Sequence, residues 1–125
     1  MKVSISNDKL EVEFRAEAND WLSFADLLCS GGGTLDLIDT TPTFGYFATL
    51  KSIEFCDGIG LITVQVAKDK LCIAGSEVAR SVLAANARDM AANAPGNAGE
   101  HIHVDGLILP TAVSESAMSM VWICE

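Results

Sequence analysis

The sequence predicts an α+β fold: a mostly antiparallel β-sheet with two α-helices packed on one face. Three observations carry this. Short stretches alternate apolar and polar residues with the period of a strand. Two longer stretches repeat apolar residues at helical spacing, and the order hairpin, helix, strand occurs in each half of the chain. The 125 residues suffice for one domain, 1–125, whose core needs neither metal nor disulfide.

The elements follow in order. Val3, Ile5, Leu10, Val12 and Phe14 alternate with polar residues on either side of "SNDK", which reads as a hairpin with one apolar face. In "EANDWLSFADLLCSGGG", Asn19 or Asp20 can cap a helix. Trp21, Leu22, Phe24, Ala25, Leu27 and Leu28 form its apolar stripe, and Gly31 to Gly33 stop it. "TLDLID", Thr34 to Asp39, alternates as a strand. "TLKSIEFC-DG-IGLITVQV" reads as two strands joined by a tight turn at Asp57-Gly58. "AKDK" turns the chain into the strand Leu71 to Ala74. A second helix starts at Ser76 as cap and ends at Pro95-Gly96, with the stripe Val78, Ala79, Val82, Leu83, Met90 and Ala94. "EHIHVDG" and "AMSMVWICE" are the closing strands. Asp8-Lys9-Leu10 and Asp69-Lys70-Leu71 stand 61 residues apart, and Leu22 matches Leu83 at the same offset, an echo between the halves.

Composition narrows the function classes. The net charge of −9 argues against nucleic acid as a partner. From Ala16 to Leu50 the chain holds five acids, Glu17, Asp20, Asp26, Asp36 and Asp39, and no Lys or Arg, a field that can steer a basic partner. No apolar run approaches a membrane span, and the alternating N-terminus does not read as a signal peptide, so a cytoplasmic location is expected. Cys29, Cys56, Cys72 and Cys124 form no C-x-x-C pair and read as reduced thiols in apolar surroundings.

The stretch with the most chemistry is "GEHIHVDG", which contains both histidines. Strand alternation places Ile102 and Val104 toward the core and His101, His103 and Asp105 together on the other side. Residues two apart on a strand lie roughly 6.6 Å apart, close enough for two imidazoles to share an ion. His101 and Asp105, about 13 Å apart, cannot share one. The cluster therefore supplies at most two ligands, a third would have to come from Glu100 or a neighbouring strand, and the sequence assigns neither a metal nor a cofactor. No nucleophile motif of the G-x-S-x-G kind occurs, and "CSGGGT" sits at a helix C-terminus, where the dipole repels phosphate. "IDTTPTFGYF" places Phe44, Tyr46 and Phe47 in the acid-only segment. It reads as a protein-binding tip, with Phe47 expected in the core and Tyr46 open between core and tip. Asn86 is expected as a buried, satisfied amide.

The second half, Leu61 to Glu125, resembles a family of immunity proteins from bacterial polymorphic toxin systems, the one numbered thirty-two. The matching positions are Gly75 and Ser76 at the helix entry, Gly99, Glu100, His101, His103 and Asp105 on the strand, and Ser116 before the last strand. The resemblance implies a cytoplasmic, non-enzymatic protein that binds and neutralises a toxin domain, without cofactor or metal. The expected partner-binding residues are Glu100, His101, His103 and Asp105 on one surface and Asp36, Asp39, Phe44 and Tyr46 on another. Two other readings stay open: a metal-binding protein or metal-dependent hydrolase using His101 and His103, and a structural or homo-oligomeric subunit.

Overall fold

The computed structural model describes residues 1–93 and 101–125. The fold is α+β, with mostly antiparallel strands and two helices packed against each other. The strands are β1 (Lys2–Ile5), β2 (Glu11–Ala16), β3 (Thr34–Asp36), β4 (Ala48–Thr49), β5 (Ser52–Asp57), β6 (Thr63–Ala67), β7 (Lys70–Gly75), β8 (His101–Val104) and β9 (Ser119–Cys124). The helices are α1 (Ala18–Ser30) and α2 (Glu77–Asn93). The strands divide into a five-stranded sheet, β4-β1-β2-β9-β8, and a four-stranded sheet, β3-β5-β7-β6. Two pairs are parallel, β2 with β9 and β5 with β7.

This order explains the echo between the halves. β1–β2–α1 and β6–β7–α2 are the same hairpin-then-helix unit. Each hairpin receives, in parallel, a strand of the other half: the later β9 beside β2, and the earlier β5 beside β7. The correspondence runs at 59 residues, not 61. Trp21, Phe24, Ala25 and Leu28 of α1 map onto Arg80, Leu83, Ala84 and Ala87 of α2, and every one of these is buried. Leu10 and Leu22, the partners of Leu71 and Leu83 in the sequence echo, are exposed, whereas Leu71 and Leu83 are fully buried. The reason is the turn. Asp8-Lys9-Leu10 belongs to the turn before β2, which Ser6 N closes by donating to Glu11 O at 3.0 Å. Lys70 and Leu71 already lie in β7.

Three further expectations change. Asp57-Gly58 does not close a hairpin: β5 and β6 are separated by β7. A two-residue hairpin turn needs positive φ in its centre, yet Gly60 (φ 78°), not Gly58, supplies it here. The hairpin partner of β6 is β7, through Lys68 at φ 60°. The α1 cap is Glu17, whose carbonyl accepts from Asp20 N and Trp21 N, while the Asp20 carboxylate accepts from the Met1 amino group at 3.1 Å. Strand β3 ends at Asp36, because Ile38 N turns to donate to Met1 O.

Ser76 does cap α2, its Oγ accepting from Ala79 N at 3.2 Å, and Gly31 at φ 73° ends α1. The Pro95-Gly96 stop and Ala94 lie outside the described residues. Val78 is exposed on the far side of α2, and Val82 and Met90 are half-buried. The core joins both sheets through α1. Phe24 meets Trp122 of β9 at 5.6 Å and Phe55 of β5 at 5.5 Å, while Trp21 stacks 5.0 Å from Trp122. Among the described residues, no helix is long and apolar enough to cross a membrane.

Candidate functional site

The face of the five-stranded sheet that points away from Phe14 and Trp122 carries both histidines singled out in the sequence. Directly opposed residues share a face. One row across the strands is therefore Lys2, Arg15, Ile123 and His101, and the next is Ser4, Glu13, Val121 and His103. His101 and His103 are exposed on this face, with ring centroids 5.5 Å apart and planes near perpendicular. Ile102 points inward as its parity requires but stays 40 % exposed. Among the described residues β8 is paired on one side only, by β9, so its inward side chains are covered from one flank.

Burial on this face is unusual for its chemistry. Glu13 is 5 % exposed and is ionically paired, its Oε1 accepting from Arg15 Nε at 2.7 Å. Arg15 reaches on toward Glu125 at 3.9 Å. A buried carboxylate needs such a partner, since an unpaired one costs several kcal/mol, on the order of a whole domain's margin. Glu11, Glu13 and Arg15 were not singled out from the sequence. The signal was there: in "EVEFRA" the three charged residues stand at strand period opposite Val12 and Phe14.

Tyr46 joins this group from a distant part of the chain. The loop between β3 and β4 lies along β1, where Thr43 N donates to Ser4 Oγ and Phe47 N donates to Ile5 O. Its path brings the Tyr46 hydroxyl to Glu11 Oε2 as a donor at 2.9 Å. Burial pushes the Tyr46 phenol well above the usual tyrosine range, and the carboxylates of Glu11 and Glu13 add to the shift against a smaller effect of Arg15. The phenol therefore remains a neutral donor. Phe44 and Phe47 are exposed; Phe47 is not in the core, because its backbone, and not its ring, is anchored to β1.

The other expected residues divide. Asp105 follows β8, but its carboxylate is engaged by its own loop, accepting from Leu107 N, Ile108 N and Ser119 Oγ at 2.9–3.1 Å. The bond from Ile108, then those from Leu107 and Ser119, hold the carboxyl below the usual aspartate range. Asp39 lies in the same loop as Tyr46 and accepts from Thr49 Oγ1 at 2.8 Å. Asp36 belongs to β3 in the four-stranded sheet, while Asp39, Phe44 and Tyr46 lie in the loop that follows it. Glu100 lies outside the described residues.

A groove of about 410 Å³ opens at one end of this face, lined by Leu10, Asp105, Gly106, Leu107, Glu115, Ala117 and Ser119. Gly106 is required there, since a Cβ would stand 2.8 Å from the Glu115 backbone. Among the described residues no three His, Cys, Asp or Glu side chains converge as a metal site. Burial raises the Cys56 and Cys124 thiols, the reverse of an activated nucleophile. Asn86 is half-buried and its amide donates to Val82 O at 2.9 Å. No family model, curated protein or solved structure matches the chain.

Proposed function

We propose that this chain is a non-catalytic protein-binding module that docks a basic protein domain on the outer face of the five-stranded sheet, as an immunity protein holds its toxin. The observation that carries the reading is the placement of Tyr46. A loop from outside the sheet sets its ring among Glu11, Glu13 and Arg15, in the same face as His101 and His103. A tyrosine with a fixed hydroxyl gives a rigid amphipathic anchor, the side-chain type that concentrates binding energy at interfaces. The net charge of −9 and the cation-free segment around this loop favour a basic partner.

The test is growth rescue. The C-terminal domain encoded immediately upstream of this gene is tested as the toxin domain: it is expressed with the intact chain and with Tyr46→Ala or His101→Ala/His103→Ala variants that retain native circular dichroism. Rescue by the intact chain, lost in folded variants, supports the reading. Rescue unchanged in both variants moves the partner to another surface. Absence of rescue and of any complex with the toxin domain overturns the proposal.

A further inference from the structure

We propose that His101 and His103 form a bidentate site for a divalent d-block ion, zinc above all. The argument is geometric. An ion bonded at about 2.0–2.1 Å to one nitrogen of each ring, with tetrahedral angles, holds the ring centroids about 5.2 Å apart. In the cis positions of a square plane the separation falls to about 4.5 Å. The centroids stand 5.5 Å apart, so the tetrahedral arrangement needs a movement of a few tenths of an ångström and the square-planar one about 1 Å. Rotation about exposed side-chain bonds supplies the smaller movement at little cost.

The surroundings favour a cation. Across β9 the two imidazoles face Ile123 and Val121, so no Lys or Arg opposes them on the adjoining strand. The nearest cationic row, Lys2 and Arg15, lies beyond β9, and the Arg15 guanidinium is paired to Glu13. The Asp105 carboxylate, held in place by Leu107 N, Ile108 N and Ser119 Oγ, follows two residues after His103. The chain contributes two ligands, which leaves two positions of a tetrahedral shell open to water or to a ligand from a partner protein. Imidazole nitrogens suit a borderline-soft d-block ion, whereas the hard ions magnesium and calcium take oxygen ligands.

The experiment is calorimetric titration of zinc chloride into the tag-free chain, stripped of metal and kept reduced, with magnesium chloride as control. One zinc per chain is expected and no heat from magnesium. His101→Ala and His103→Ala should each weaken binding by at least about a hundredfold, the lower end of what joining two ligands on one frame contributes. Cys29→Ser, which removes an exposed thiol, should leave the affinity unchanged. Both histidines are exposed, so these variants are expected to fold, and circular dichroism checks it. Zinc binding equal in the histidine variants, or lost in Cys29→Ser, places the ion on thiols and overturns the proposal. So does the absence of binding below millimolar zinc. No partner is present in the titration, so its outcome is separate from that of the rescue experiment.

Discussion

Replacing Arg80 by methionine keeps side-chain volume but removes a guanidinium that joins three elements. Arg80 is 4 % exposed. Its Nε donates to Gly75 O at 3.0 Å, and its Nη1 to Leu28 O at 2.7 Å and Cys29 O at 3.2 Å. Nη2 donates to Asp57 Oδ1 at 2.9 Å. The Leu28 and Cys29 carbonyls belong to the last turn of α1, where no backbone donor remains, so Arg80 acts as a C-terminal cap from another element. In the variant three carbonyls lose this donor, at roughly 1–3 kcal/mol each where water cannot replace it. The variant also no longer has to desolvate a charge, which offsets part of the loss. We expect a net loss of about 3 kcal/mol. With urea slopes of about 1–3 kcal/mol/M, the unfolding midpoint should fall by at least about 1 M. Asp57, although paired to the same guanidinium, is 72 % exposed, so Asp57→Asn should cost less than about 1 kcal/mol. An Arg80→Met midpoint close to that of the intact chain, or an Asp57→Asn loss as large as that of Arg80→Met, would refute the reasoning.

Tyr46 is the one tyrosine of the chain, so phenolate absorbance tracks it alone; its ionisation should begin only well above pH 10, and Glu11→Gln should lower it in part, since burial, the larger cause, remains. The folded state holds this proton more tightly than the unfolded one. Its stabilising contribution is therefore complete below about pH 10 and lost as pH rises further, which alkaline unfolding of Tyr46→Phe against the intact chain measures. Asp105 has the opposite sign: its folded carboxyl is shifted down, so its contribution is present above about pH 4 and lost as pH falls through the lowered value. Asp105→Ala should cost about 1 kcal/mol at neutral pH, as loss of a capping carboxylate does, with a smaller difference in acid. Gly106→Ala should cost more than an ordinary surface change, because its methyl would meet the Glu115 backbone; a melting temperature unchanged from the intact chain would contradict that contact. Finally, Asp36→Asn/Asp39→Asn should slow association with a basic partner most at low salt, and an unchanged association rate would remove charge steering by this segment.

Much of this was legible in the residues. The parity of "HIHV" places both histidines on one face, and the helix signals at Ser76 and Gly31 mark real boundaries, because each depends on a few bonds between near neighbours. The Asp57-Gly58 turn failed for the converse reason. The dipeptide suits a tight hairpin, but β7 takes the flank of β5 that the hairpin would have used, and strand choice is decided by which apolar faces bury best. Arg80 reads as a polar break in the α2 stripe; only the arrival of the α1 terminus beside it gives its donors their acceptors. Leu10 shows the same limit, since the alternation that includes it breaks where the turn ends.

The sequence by itself determined the α+β class, the two amphipathic helices and the face each strand residue occupies, all of which follow from periodicity along a short stretch of backbone. The tertiary structure decided which strands pair, how the two halves exchange strands, and that Tyr46 comes to rest on Glu11 beside the histidine face. Those are contacts between residues far apart in the chain. Their energy depends on how well whole faces and buried polar groups complement one another, a property that no local spacing carries.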